Sequence, residues 1–379
     1  MLSFRSELHS NMRSFTVAAA FAALTVANPL PQEIDWAAVD ALAPIPTVTI
    51  PIVDVSAQAS TVAYEPSAAA TSIAAAVKAS GVDSDAPTGL KARGAAICKP
   101  QPLGAGPVPK EDTPEAFLAY TEFSTKANAA STPSGYYNTF KDLKASNNAY
   151  GYMGYTVLSE YSTDICASKC DAIEGCAAFN LYYERDPTVN PNDQSCANPP
   201  STTNIKCVFW GGPVNGENAK NAGQWRKDFH VVIAGSNGYV SNKIVTPPGC
   251  TTPIYLGDAA INAPLDCKGE DTYLGVRIFQ KGPFDIAKCA AACEAQADYA
   301  RAHPPANGGE VKTCKFFNTY MLMKNGSPVG QYCSMYSASW GSSYGTNYGQ
   351  FRGSDKYSVE WSYISSNSTN PNPACKPKA

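Results

Sequence analysis

The hydrophobic and polar positions of this chain follow one order twice. Ser162 and Asp285 each stand four residues before a cysteine, where they predict a helix N-cap. Each predicted helix carries cysteines at i and i+4 on one face, Cys166 and Cys170, then Cys289 and Cys293. The second helix is expected to be the longer, through Ala290 to about Arg301. An apolar, aromatic strand follows, Ala177 to Tyr183 and Lys315 to Met323, and another surrounds Cys207 or Cys333. The unit closes with His230 to Ala234, or with Tyr357 to Ile364. The expectation is α+β, with one helix packed on a small antiparallel sheet in each unit.

Short identities show that the two units are copies. Tyr152-Met153-Gly154 recurs as Tyr273-Leu274-Gly275, and Cys176-Ala-Ala-Phe179-Asn180 as Cys314-Lys-Phe-Phe317-Asn318. Cys207-Val-Phe recurs as Cys333-Ser-Met, and Gly223-Gln-Trp225-Arg226 as Gly349-Gln-Phe351-Arg352. Between the second and third cysteines the later copy is longer by 15 residues, and between the third and fourth it is shorter by 12. Insertions belong in loops, and both fall in stretches that read as loops, Pro187 to Thr203 and His303 to Gly309.

The rest of the chain divides by composition. Residues 1–27 read as a secretory signal with Arg13 before an apolar core and Ala27 at the cut; Met12 is an alternative start. Residues 28–93 have no cysteine, are rich in Ala, Val and Pro, and end in Lys91-Ala92-Arg93. They read as a disordered pro-segment. Residues 94–148 form an extension with a helix beginning at Thr113-Pro114, whose Phe117, Tyr120 and Phe123 are placed to pack on the first repeat. The repeats then occupy 149–248 and 249–379, the second with a polar C-terminal tail.

A helix with Cys-x3-Cys, then a cysteine on each of two strands, resembles the PAN/apple family over about 149–235 and 272–365. Residues 94–379 as a whole resemble a family of secreted fungal proteins with tandem apple-like repeats. The residues that carry this are Asp112-Thr-Pro-Glu-Ala-Phe117, Ser146-Asn-Asn-Ala-Tyr-Gly151, Cys207-Val-Phe-Trp-Gly-Gly212 and Ala234-Gly-Ser-Asn-Gly-Tyr239. The resemblance implies binding of proteins or glycans, with no established biochemical activity. It implies the pairs Cys166–Cys207, Cys170–Cys176, Cys289–Cys333 and Cys293–Cys314. Cys98, Cys196, Cys250, Cys267 and Cys375 fall outside its pattern, with Cys250–Cys267 a local candidate. Thirteen cysteines leave one over if all others pair. Zinc is the rival reading, but each copy has one closely spaced pair where a zinc site needs two.

Composition narrows the chemistry. Charged residues are 16%, the formal net charge is −3, and there are three histidines. No basic face offers itself to nucleic acid, and no apolar run reaches the length of a membrane span. Gly341-Ser-Ser-Tyr-Gly345 has the spacing of a nucleophile elbow, yet no histidine follows it, so a loop is expected. His230 reads as a strand residue, His303 as a helix end, and Glu184-Arg185-Asp186 as a solvated loop. No catalytic residue, cofactor or metal ligand is assigned. The candidate contacts are Trp340, Tyr344 and Tyr348, which have no counterpart in the first copy; Phe351 and Trp361 match repeated positions and read as core. Asn325 and Asn367 begin glycosylation sequons. The sequence therefore points to a secreted or cell-wall-associated, non-enzymatic protein that binds a cell-wall glycan or surface protein. A disulfide-linked wall component and a hydrolase with an unrecognised carboxylate site are the alternatives.

Overall fold

The computed structural model describes residues 34–51, 58–80, 98–191 and 195–375. The signal segment expected at 1–27 lies outside them. The architecture corrects the α+β expectation: it is mostly antiparallel β, 37% strand and 19% helix, with a curled half-barrel sheet. The reason is strand length and strand recruitment. The central hairpin of the first repeat, Ala178–Pro187 with Ser201–Trp210, stays paired out to Pro187 and Ser201, well into the stretch expected to be loop. Flanking segments then add strands at the sheet edges.

The first sheet has the order Ala59–Thr61, Tyr152–Leu158, Ser201–Trp210, Ala178–Pro187, Phe229–Ser241, Tyr136–Leu143, with Gly223–Arg226 paired to Phe229–Ser241. The second has the order Tyr273–Phe279, Ser327–Tyr336, Phe316–Lys324, Asp355–Ser366, Gly349–Arg352, with Ile254–Gly257 on Asp355–Ser366. Each strand of the second sheet's main path matches its sequence counterpart in the first, in the same spatial order. Duplication is thus visible in topology as well as in sequence.

The repeated signature residues have structural causes. Asn180 and Asn318 are fully buried, and each clamps the bulge of the closing strand. Asn180 donates to Ser236 Oγ and Asn237 O, both at 2.9 Å; Asn318 donates to Ser362 Oγ at 2.8 Å and Tyr363 O at 2.9 Å. A buried amide with its donors and acceptor filled fixes strand register. Ser162 caps the helix Thr163–Asp171, and Asp285 caps Ile286–Ala302. Thr113 caps Pro114–Leu118, and the chain turns at once into a second helix, Thr121–Ala129. Phe117 and Phe123 from these helices are buried against Tyr183 and the first disulfide helix.

Six disulfides form: Cys166–Cys207, Cys170–Cys176, Cys289–Cys333, Cys293–Cys314, Cys98–Cys196 and Cys267–Cys375. None joins the two repeats. The local pair Cys250–Cys267 is corrected: Cys267 reaches Cys375 near the C-terminus, and Cys250 is the free thiol. Closing a loop of about 40 residues stabilises a fold by roughly 3–4 kcal/mol in the chain-entropy account.

The repeats are nevertheless not independent beads. One buried cluster takes in Tyr155, Tyr182, Trp210 and Ile233 from the first and Phe279, Phe284, Phe317 and Trp361 from the second. Across this junction the Tyr150 hydroxyl donates to Phe279 O at 2.8 Å, and the Phe284 N–H donates to Gly211 O at 2.7 Å. Gly211 has to be glycine, since a Cβ there would lie 2.4 Å from Pro283 Cα.

Disorder across 28–93 is also corrected for the described part. A short helix, Trp36–Asp40, the strand Ala59–Thr61 and the helix Pro66–Ser80 all pack on the repeats. Ile34, Val39, Ile50, Ile73 and Val77 are buried. The composition is too poor for a core of its own, and the structure supplies one from elsewhere in the chain.

Candidate functional site

Each central strand presents alternate residues to opposite faces. In both repeats one face meets the disulfide helix, and the other, called here the far face, looks away from it. On the far face of the first sheet, Tyr182, Glu184 and Asp186 stand beside Lys206, Asn204 and Thr202 in direct strand register. The corresponding residues of the second sheet are Tyr320 and Leu322 beside Tyr332 and Gly330, and Lys324, which a bulge after Leu322 sets beside Ser327. One far face is charged and the other is largely apolar.

Glu184-Arg185-Asp186 is therefore no solvated loop. It lies inside a strand with Glu184 5% and Asp186 2% exposed. Lys206 Nζ donates to Glu184 Oε1 and, at 3.2 Å, to the carbonyl of Pro51; Asn204 donates to Asp186 Oδ2 at 2.8 Å. Burial, helped by the neighbouring Asp186 carboxylate, pushes the Glu184 carboxyl up to about 8. Burial opposes charge on Lys206, but Glu184 and Asp186 outweigh it and raise its pKa. Glu184, Asp186 and Lys206 thus form one buried ionisable cluster, and Pro51 caps it. Arg185 points the other way, to Asp112 Oδ1 at 2.8 Å and across the Phe229 ring at 4.2 Å.

The expected contacts separate. Trp340 is 3% exposed, its indole N–H donates to Thr272 Oγ1 at 2.9 Å, and Tyr344 packs edge-on to it at 4.7 Å. This corrects Trp340 from contact to core. Tyr344 is half-buried in a 3-10 turn, Ser342–Tyr344, which is also where the elbow-like spacing lies. Tyr348 is 67% exposed. Phe351, expected in the core, is 71% exposed, and its counterpart Trp225 is 66% exposed. Trp361 is buried as expected.

The motif Gly-Gln-aromatic-Arg explains those two exposed rings. Gly223 and Gly349 have φ of +112° and +97°, and a Cβ on either would meet the carbonyl of the facing strand at 2.0 or 2.2 Å. Glycine thus lets the edge strand approach. Arg226 donates to Asn190 Oδ1 at 2.7 Å; Arg352 pairs with both Asp40 oxygens and stacks over Trp36 at 4.5 Å. The aromatic between them projects outward by alternation. Trp225 is backed by His230, stacked at 4.2 Å and 7° between planes. The glycine and the arginine hold the fold, while the aromatic contributes little burial. The missed signal was the edge position, which a repeat alignment does not report.

Asn325 and Gly326 both have positive φ and form the tight turn of a hairpin. The Asn325 amide donates to Asp355 Oδ1 at 2.7 Å, which engages the nitrogen a glycan needs. Asn367 is exposed, and Thr369 Oγ1 lies 2.8 Å from its Oδ1. Among the described residues no group of three or more His, Cys, Asp or Glu is placed to hold a metal ion, and no helix is long and apolar enough to cross a membrane. No family model, curated protein or solved structure matches the chain.

Proposed function

We propose that this is an extracellular binding protein that engages an extended cell-wall glycan through two aromatic platforms, one per repeat. The observation that carries the reading is the pair Trp225 and Phe351. They occupy equivalent places on edge strands and stay open to solvent where burial would stabilise the fold. A flat ring left open on a strand edge suits a sugar, whose apolar face stacks on it. Two such rings on one rigid body suit a repeating polymer, because the second contact is intramolecular once the first is made. The six disulfides fit an oxidising, extracellular setting.

Retention on insoluble chitin and β-glucan tests this. Trp225→Ala or Phe351→Ala should lower retention several-fold, and the pair together should abolish it. Undiminished retention in the double variant would reject the platforms. Linkage to the wall through Cys250 finds less support: that thiol is half-buried, and burial raises its pKa, which keeps it protonated and slow to react. A hydrolase reading draws on Glu184 and Asp186, but both are buried beneath the chain's own residues.

A further inference from the structure

Residues 34–51 and 58–80 together reach both repeats. The Trp36–Asp40 helix lies on the apolar far face of the second sheet, where the Asp35 N–H donates to the Tyr332 hydroxyl at 2.7 Å. Ala43 O accepts from Gln280 at 2.9 Å, and the Val48 N–H donates to Asn148 Oδ1 at 3.2 Å. Ile50 enters the shared core, and Pro51 O takes the Lys206 ammonium. The segment then adds Ala59–Thr61 as an antiparallel edge strand to Tyr152–Leu158, extended by Gln58 O to Val157 N and Val62 N to Met153 O, both at 3.0 Å. The Pro66–Ser80 helix closes over Ile286–Ala302.

This occupant is held differently from everything beneath it. It has no cysteine, and all six disulfides lie within 98–375. Its last helix buries Ile73 and Val77 and leaves a cleft of about 290 Å³ beside Ala74, Ala291 and Glu294. The surface it covers lets a strand come close at a bulge glycine repeated in the second sheet as Gly275. Gly154 has φ +109°, and a Cβ there would lie 2.0 Å from Ser60 O. Lys206 and Asn148 stand ready for a backbone carbonyl and a backbone N–H. The sequence after the segment ends in Lys91-Ala92-Arg93, a basic site.

We propose that the Tyr152–Leu158 edge, with Asn148 and Lys206, is a peptide-binding groove. In this state residues 48–51 and 58–62 of the chain itself fill it. Once they leave, the groove takes an extended polypeptide by strand addition, with backbone hydrogen bonds supplying affinity and the missing Cβ of Gly154 leaving room for the incoming backbone. The groove lies apart from Trp225 and Phe351 and does not depend on the glycan reading.

The test uses the full chain with a site-specific protease sequence in place of residues 91–93. A labelled synthetic peptide of residues 34–80 is the probe, and fluorescence anisotropy the readout. The uncut chain should ignore the probe, and the cut chain should take it up by exchange. A Ser60→Pro probe lacks the amide that meets Tyr155 and should bind about ten-fold more weakly. A cut chain that never exchanges its own segment, or a Ser60→Pro probe that binds equally well, would overturn the proposal. Equal uptake by the uncut chain would overturn it too. A concentration-dependent dimer in place of peptide uptake would assign the groove to strand exchange between copies instead.

Discussion

The far faces of the two sheets began as one surface and now differ in kind. At one pair of matched positions the first repeat has Glu184 and Lys206, and the second has Leu322 and Tyr332. The second face is the cheaper solution: Tyr320 stacks on Tyr332 at 4.9 Å, and the Trp36–Asp40 helix seals it. The first face keeps charges that burial opposes, and satisfies them with Asn204, with one another and with Pro51. The same scaffold therefore tolerates either chemistry. What does not vary is the clamp, Asn180 or Asn318, on which register depends.

Lys206→Ala should be the most damaging change to this comparison, because it strands Glu184 and Asp186 without their cation. Denaturant unfolding should register a loss of about 3–5 kcal/mol. Copying the second repeat's solution, Glu184→Leu with Lys206→Tyr, should recover most of that, leaving the double variant within about 1 kcal/mol of the parent or above it. A double variant as weak as Lys206→Ala would mean that the first far face cannot close over apolar side chains.

The clamps should fail alike. Asn180→Leu and Asn318→Leu each leave buried backbone groups unpaired and should each cost about 1–3 kcal/mol. A large inequality in their melting temperatures would show that only one bulge fixes its sheet.

Acidity distinguishes the faces next. Glu184 is pushed up to about 8 by burial, and the half-buried Glu360 up to about 7 by partial burial and the nearby Asp258 and Glu217. A carboxyl whose folded pKa is raised contributes stability that is complete below its unfolded pKa and is lost as pH rises through the folded value. Thermal stability should therefore fall between about pH 5 and about pH 8. Glu184→Gln should flatten the part belonging to the first face and leave that of Glu360. The smallest effect is expected from Tyr332→Phe, which removes one hydrogen bond to the Asp35 N–H and should cost about 0.5–1.5 kcal/mol.

The duplication, the helix caps and the helical cysteines were legible because each is local or recurs. Ser162, Asp285 and Thr113 need only a helix beside them. Glu184 and Asp186 were not legible as buried residues, because their partners are Lys206, 22 residues from Glu184, and Pro51, 155 residues from Lys206. A charged triplet reads as exposed until such partners are known. Trp340 and Phe351 exchanged roles for a related reason. Burial of an aromatic depends on whether its strand is central or at an edge and on what lies over it. Residues 34–80 read as disordered because they are weakly apolar by themselves, and their burial is against surfaces made by the repeats.

Residues 34–80 are tied to the rest of the fold by the backbone alone, with no disulfide. While the backbone is continuous through 81–97, the segment faces its groove at an effective concentration of roughly millimolar order. Any outside strand must outcompete that. One cut in the connecting chain leaves every contact in place yet turns a unimolecular equilibrium into a bimolecular one. At nanomolar protein the same contacts then compete about a million-fold less effectively. A single peptide bond thus acts as a concentration switch for the first sheet, with no change in its folded geometry.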